Sequence, residues 1–218
     1  MASEIDELIQ TKLSTARLSS YMSVTGADLS NALDLYLWNG RAASAFLVLL
    51  GDVEVVIRNA WHEQLTLLST TMNRTELWSE NEFGFLRENS VQHIEAARQR
   101  LLQRGRTPAM NQLVAELNFG FWRFLVAKQY RTTLWPLAGK YAFPNIDPSQ
   151  IQELSTVMGR LHDLRNRIAH HEPIHMRNLD RDFADCLWVI GGVCLTTKQW
   201  VESNSRVAGV LQERPSGK

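Results

Sequence analysis

Apolar residues recur along this chain at helical intervals, and no stretch alternates convincingly as a strand. The clearest period lies between 151 and 168. There Ile151, Leu154, Val157, Met158, Leu161, Leu164 and Ile168 share one arc of a helix. Asp147-Pro148 marks its start, an N-cap acceptor followed by proline in the first turn. Pro173 disfavours helical geometry at Glu172, so the helix should end near His171.

The other segments predict a series of helices. Residues 3–22 form an amphipathic helix with Ile5, Leu8, Ile9, Leu13 and Leu18 on one side. A turn at 25–28 follows, with Asp28 or Ser30 as the next cap, and that second helix ends at the Asn39-Gly40 turn signal. A long helix runs over 42–68. Residues 69–89, with Trp78, Phe83 and Phe85, form a connection containing a short helix. Ser90 caps a basic helix, Thr107-Pro108 starts another through Leu117, and an aromatic stretch (Phe119, Phe121, Trp122, Phe124) surrounds Gly120. That stretch suits a core or a dimer interface. Asn178 or Asp180 opens a helix through Trp200 with Phe183, Leu187, Ile190 and Cys194 inward, and a short helix over 205–213 closes the chain. The expected fold is all-α, a single-domain helical bundle over 1–218 with its core at about 14–203.

One residue breaks the arc of the 151–168 helix. At roughly 100° per residue, Arg165 projects from inside the apolar stripe. An unpaired buried charge is costly, so Arg165 must meet an acid, lie at an oligomer interface or face an incoming anion. Beside it His162, Asn166 and His170 line up at i, i+4, i+8, with His171 on the other side next to Arg167. His170 stands about 140° from Arg165 on an ideal helix, so the two converge only if the last turn distorts or a second protomer completes the site. A histidine, an arginine and an asparagine together suit phosphodiester cleavage without a metal. The imidazole moves the proton, the guanidinium holds the phosphate charge and the amide orients either. The competing expectation is structural, with His162, Arg165 and Asn166 satisfying buried partners.

The run Arg165-Asn166-Arg167-Ile168-Ala169-His170 resembles the R-N-x-x-x-H motif of HEPN domains, and L-R-N-R-I-A-H-H-E-P-I resembles the Abi-like (abortive infection) branch of that superfamily. Three other stretches are similar to the same branch: R-L-S-x-Y at 17–21, E-V-V-I-R-N-A-W-H at 54–62 and V-A-E-L-N-F-G-F-W at 114–122. The likeness spans about residues 14–214. It implies an all-helical, dimeric, RNA-cleaving domain without a cofactor, with a site built where two protomers meet. Carried across, Arg165 stabilises phosphate charge, Asn166 positions it and His170 transfers the proton. The resemblance also implies a role as a toxin or in antiphage defence, with an antitoxin or regulatory partner.

Composition changes this picture in one respect. With 23 basic and 23 acidic residues there is no global positive field, so RNA contact must come from a local patch. The densest candidate is Arg98, Arg100, Arg104 and Arg106, with Arg167 beside the motif; a solvated helix face is the alternative. Glu54, Arg58 and His62 share one face of the long helix, either as an exposed ion pair or as support for Arg165, and Glu116 is a further acid that could pair with the motif helix. Arginine outnumbers lysine 18 to 5, a bias that a GC-rich genome also produces. Cys186 and Cys194 have no metal spacing, and no signal peptide or membrane span is evident, so a cytoplasmic protein is expected. No phosphate loop, dinucleotide fingerprint or nucleophile elbow occurs. His171 and His175 stand at i, i+4, but Pro173 divides them, so no metal site is expected and His175 is a loop residue.

Overall fold

The computed structural model describes residues 3–72, 77–82 and 84–215, and helices dominate them, with no strand among the described residues. Phe83, expected in the connection after the long helix, lies outside them. Ser3 opens α1 (Glu4–Leu13) through a reciprocal capping box with Asp6. The single helix expected over 3–22 is divided at Ser14, where φ is 78°. Its N–H closes α1 on the Gln10 carbonyl, and its hydroxyl caps α2 (Thr15–Val24) by accepting from the Arg17 N–H. One serine thus ends one helix and starts the next, which helical periodicity cannot reveal.

Asp28 caps α3, accepting from the Asn31 N–H, and α3 (Leu29–Thr71) continues unbroken for 43 residues. The expected stop at Asn39-Gly40 is absent. Asn39 is buried within the helix, and its side-chain oxygen accepts from the backbone N–H groups of Ile174 and His175 at 2.8 and 3.0 Å. Its polar group is consumed by a distant segment, so its local turn preference loses. At 1.5 Å per residue, α3 is a rod of roughly 65 Å. Trp38, Phe46, Leu50, Val53, Ile57, Trp61 and Leu65 on its inner side form the spine of the core.

Beyond a 3-10 turn at Trp78–Glu80 comes α4 (Glu88–Gln103). Ser90 does not cap it. Arg87 holds the N-cap position, and Ser90 is buried in the first turn, bonded to the Tyr130 hydroxyl at 2.8 Å. The helix predicted from Thr107-Pro108 is α5 (Met110–Glu116), starting after Ala109. Asn118 then caps α6 (Phe119–Phe124), whose Phe119, Phe121 and Trp122 are all buried, so the aromatic stretch belongs to the core of this chain.

A one-turn α7 (Lys140–Ala142) precedes the motif helix. Asp147 and Gln150 form a capping box around a 3-10 turn at Pro148–Gln150, which leads into α8 (Ile151–Ala169). The helix predicted over 178–200 is two: α9 (Leu179–Val193) and α10 (Leu195–Asn204), separated by Cys194 in extended geometry. The inward face of α9 holds Leu187 and Ile190 with Cys186, while Cys194 and Phe183 are only partly buried. The last helix, α11 (Val207–Gln212), receives the Trp38 indole N–H at the Val210 carbonyl. The α3 rod packs against α2, α6, α8, α9 and α11. Among the described residues no helix is long and apolar enough to cross a membrane.

Two bidentate pairs brace the motif segment. Arg160 grips Asp185 of α9 at 2.8 and 2.9 Å, and Arg177 grips the fully buried Asp182 at the same distances. His175, expected as a loop residue, does lie in a turn between α8 and α9, where it is fully buried. Its ring stacks on Tyr21 at 4.5 Å, with Nε2 3.3 Å from the Ser20 hydroxyl. The 170–178 segment is therefore a fastened strap, tied to α2 and α3. Asn39→Ala strands two buried N–H donors and is expected to cost about 2–4 kcal/mol, read as a lowered urea midpoint.

Candidate functional site

The arc of α8 is buried as its periodicity implies, with Leu154, Val157, Met158, Leu161, Leu164 and Ile168 all in the core. Arg165 leaves this face half-buried, where α8 meets α3 and α6. One turn earlier His162 stacks on Phe119 of α6, with ring centroids 6.1 Å apart and planes 15° apart. Asn166 reaches back to it, its Nδ2 3.5 Å from His162 Nδ1. A Cβ on Gly120 would stand 3.1 Å from Asn118 Oδ1 and 3.3 Å from His162 Nε2, so glycine lets α6 approach the imidazole closely.

From α3, Glu54 enters the same junction. Burial raises its carboxyl above the usual range, outweighing the opposing pull of Arg165, Arg58 and the Phe119 backbone N–H. The carboxylates that pair elsewhere in the chain behave differently. Arg100 and Arg104 hold Glu116 at 2.7 and 3.0 Å, and these contacts pull its carboxyl below the usual range. Arg160 and Arg177 each grip an aspartate at 2.8 Å. The Arg165 guanidinium, by contrast, makes no ion-pair contact and no hydrogen bond among the described residues. Glu54 is near enough to feel its charge without neutralising it by contact. The chain thus holds a half-buried guanidinium with its donors unspent.

A second arginine stands in the same condition. Arg123 of α6 is half-buried, its Nε is buried without a hydrogen-bond partner, and its guanidinium lies over the Phe124 ring at 4.7 Å. Burial lowers the His162 pKa first, Arg123 and Arg165 lower it further, and Asp163 opposes them. Protonation of the imidazole is thereby disfavoured, by burial first and by the two cations after it. Sequence reasoning missed Arg123, which hides as a lone charge inside an aromatic run.

The remaining candidates divide. Arg58 flanks Glu54 and donates from Nε to Asn59 at 3.3 Å. His62 turns along α3 and accepts from the Trp78 indole at 3.0 Å, so it anchors the connection after α3, and among the described residues no hydrogen bond joins it to α8. His170 is the C-cap residue of α8, exposed, with its N–H on the Asn166 carbonyl. Helical geometry persists through Ala169, so no distortion swings His170 toward Arg165 within one chain. His171 is also exposed, at φ 57°, on the reversal after the helix. Among the described residues no group of three or more His, Cys, Asp or Glu side chains is arranged to hold a metal ion.

The basic cluster of α4 is largely committed to acids. Arg98 pairs with Glu80 and donates to Ser79, while Arg100 and Arg104 share Glu116. Glu116 therefore does not reach the motif helix, as one sequence expectation had it. Arg106 is exposed, and Arg167 lies 3.7 Å from Glu172 on the surface. Comparison with family models, with curated proteins and with solved structures returned no match.

The buried histidines make a pH prediction. Burial is the leading cause that lowers His62, His162 and His175. Below the unfolded value of about 6.5 the unfolded chain binds more protons at these sites, so their stabilisation is complete above that pH and lost as pH falls through the folded values. Glu54, raised, acts in the opposite sense at lower pH. The thermal midpoint is expected to drop between about pH 7 and pH 5, and His162→Gln should flatten that slope. An unchanged slope in this variant would remove His162 from the account.

Proposed function

We propose that this protein is a metal-independent endoribonuclease of HEPN type, acting as a homodimer in antiphage defence or as a toxin. The observation that carries the reading is Arg165, a half-buried guanidinium with no ion pair or hydrogen bond among the described residues, whereas Arg160 and Arg177 each grip an aspartate. Such a group is ready to receive a phosphate in fork geometry. In the proposed reaction His170 takes the proton of a ribose 2′-hydroxyl, whose oxygen attacks the adjacent phosphorus. The bond from phosphorus to the 5′ oxygen breaks, and that oxygen leaves with a proton. The products are a 2′,3′-cyclic phosphate and a 5′-hydroxyl. Arg165 offsets the charge that develops on the non-bridging oxygens, and Asn166 orients the group it meets.

The separation of His170 from Arg165 along α8 requires a second copy to bring the two together. It also favours the rival reading, a helical module that binds RNA, a nucleotide or a protein without cutting. One experiment decides between them. RNA is incubated in EDTA with wild type, His170→Ala and His171→Ala, and the ends are analysed. Cleavage to cyclic phosphate ends, lost in His170→Ala and kept in His171→Ala, is the expected result. Mixing Arg165→Ala with His170→Ala should then restore part of the activity, since a mixed dimer contains one intact composite site. Binding without cleavage in wild type would replace the nuclease reading with the rival.

A further inference from the structure

Beside the junction of α3, α6 and α8 lies a groove of about 750 Å³, between α4 and the chain following α6. That volume falls within the range of small-ligand sites, roughly 300–1,000 Å³. Its lining includes Asn89, Gln92, His93, Phe124, Lys128 and Gln129. The groove thus presents three carboxamides, of which Gln92 also donates to Glu88, with an imidazole, an ammonium and one aromatic ring. Phe124 is the one phenylalanine of the 119–124 run that is exposed, at 37%, and the His93 ring tilts toward it at 6.3 Å. Carboxamides supply paired donors and acceptors for the edge of a base, and an exposed ring supplies its face.

Arg123 joins this groove to the candidate site. Its guanidinium covers Phe124 on one side, and its Nη1 lies 3.4 Å from where a Cβ on Gly159 of α8 would stand. Gly159 precedes His162 by one turn of α8. The absence of a side chain there leaves α8 bare where the guanidinium approaches. Two arginines that have no ion-pair contact among the described residues therefore act on His162, and one of them leans on the aromatic wall of the groove.

We propose that Arg123 holds the phosphate adjoining the one at Arg165, and that the groove receives the unpaired base of that nucleotide against Phe124. The substrate is then single-stranded RNA, because a base inside a duplex cannot enter a groove of this kind. This inference rests on the ribonuclease reading for the identity of its ligand.

The test uses a fluorescein-labelled 2′-O-methyl RNA single strand and the matching duplex. Neither carries a free 2′-hydroxyl, so binding is measured by anisotropy without cleavage. Wild type should prefer the single strand. Phe124→Ala should weaken single-strand binding roughly 5- to 100-fold and leave duplex binding unchanged, while Phe124→Tyr, which keeps the ring, should restore it. Arg123→Ala should weaken binding and reduce its salt dependence by about one phosphate contact. The inference is overturned if Phe124→Ala and Arg123→Ala bind the single strand as wild type does, or if wild type binds the duplex as tightly or binds neither probe. Phe124-dependent binding by a wild type that leaves ordinary RNA uncut would keep the groove and end the nuclease reading. Cleavage of ordinary RNA with binding indifferent to Phe124 would do the reverse.

Discussion

Arg165→Ala is expected to lower RNA cleavage by about a hundredfold or more while leaving the unfolding midpoint nearly unchanged. Loss of one preorganised donor to a developing phosphate charge costs about two to three orders of magnitude in rate. A structural arginine behaves differently, since removing it strands a buried acid and destabilises the fold. Arg165 has no such partner in contact, and Glu54 stays above the usual carboxyl range despite it. The stability change should therefore stay within about 1 kcal/mol, as for substitutions outside a paired network. Arg165→Lys keeps the charge and loses the planar fork, so it should recover only a minor part of the rate. The measurement is kcat in EDTA beside a urea titration of the same preparations. A variant that unfolds several kcal/mol more easily, or one that cuts as fast as wild type, would return Arg165 to a structural role.

Much of the helical plan was legible in the sequence because it is written locally. The α8 arc, its Asp147-Pro148 start and its end near His171 all follow from spacing and local backbone chemistry, and in the structure the helix runs to Ala169 with His170 as its C-cap. The breaks and joins were harder. Asn39-Gly40 carries a turn signal, yet Asn39 sits inside α3 because it serves two N–H groups some 135 residues away. No local rule weighs such a tie. Ser14 and Cys194 failed in the other direction, dividing helices whose apolar periods run on through them.

The candidate site shows the same division. Spacing placed His162, Arg165 and Asn166 on one flank of α8, and they are neighbours there. Of the face shared by Glu54, Arg58 and His62, Glu54 comes near enough to Arg165 to feel its charge, while His62 turns to Trp78. Arg123 could not be seen, because its importance arises from α6 packing against α8. The four arginines between 98 and 106 looked like a basic surface, but Glu80 and Glu116 lie close to three of them in space. Charge counted along a chain misses acids that the fold brings alongside.

The largest stability effect is expected from Arg177→Ala. Asp182 is fully buried in the first turn of α9, and both its oxygens are held by Arg177 at 2.8 and 2.9 Å. Arg177 also reaches the Arg160 carbonyl of α8 at 3.4 Å, so one side chain ties the strap at 170–178 to two helices. Removing it leaves a carboxylate without its counter-charge in the core, a loss of about 3–5 kcal/mol. The positive end of the α9 dipole offsets part of this, because Asp182 lies in its first turn. The urea midpoint should fall accordingly. Cleavage should fall with it, since the loosened strap follows directly from His170. Replacing both partners, Arg177→Met with Asp182→Leu, removes the buried charge as well as its mate and should recover most of the stability. Recovery of stability without recovery of cleavage would show that Arg177 also fixes where His170 stands. Recovery of both would confine Arg177 to the fold.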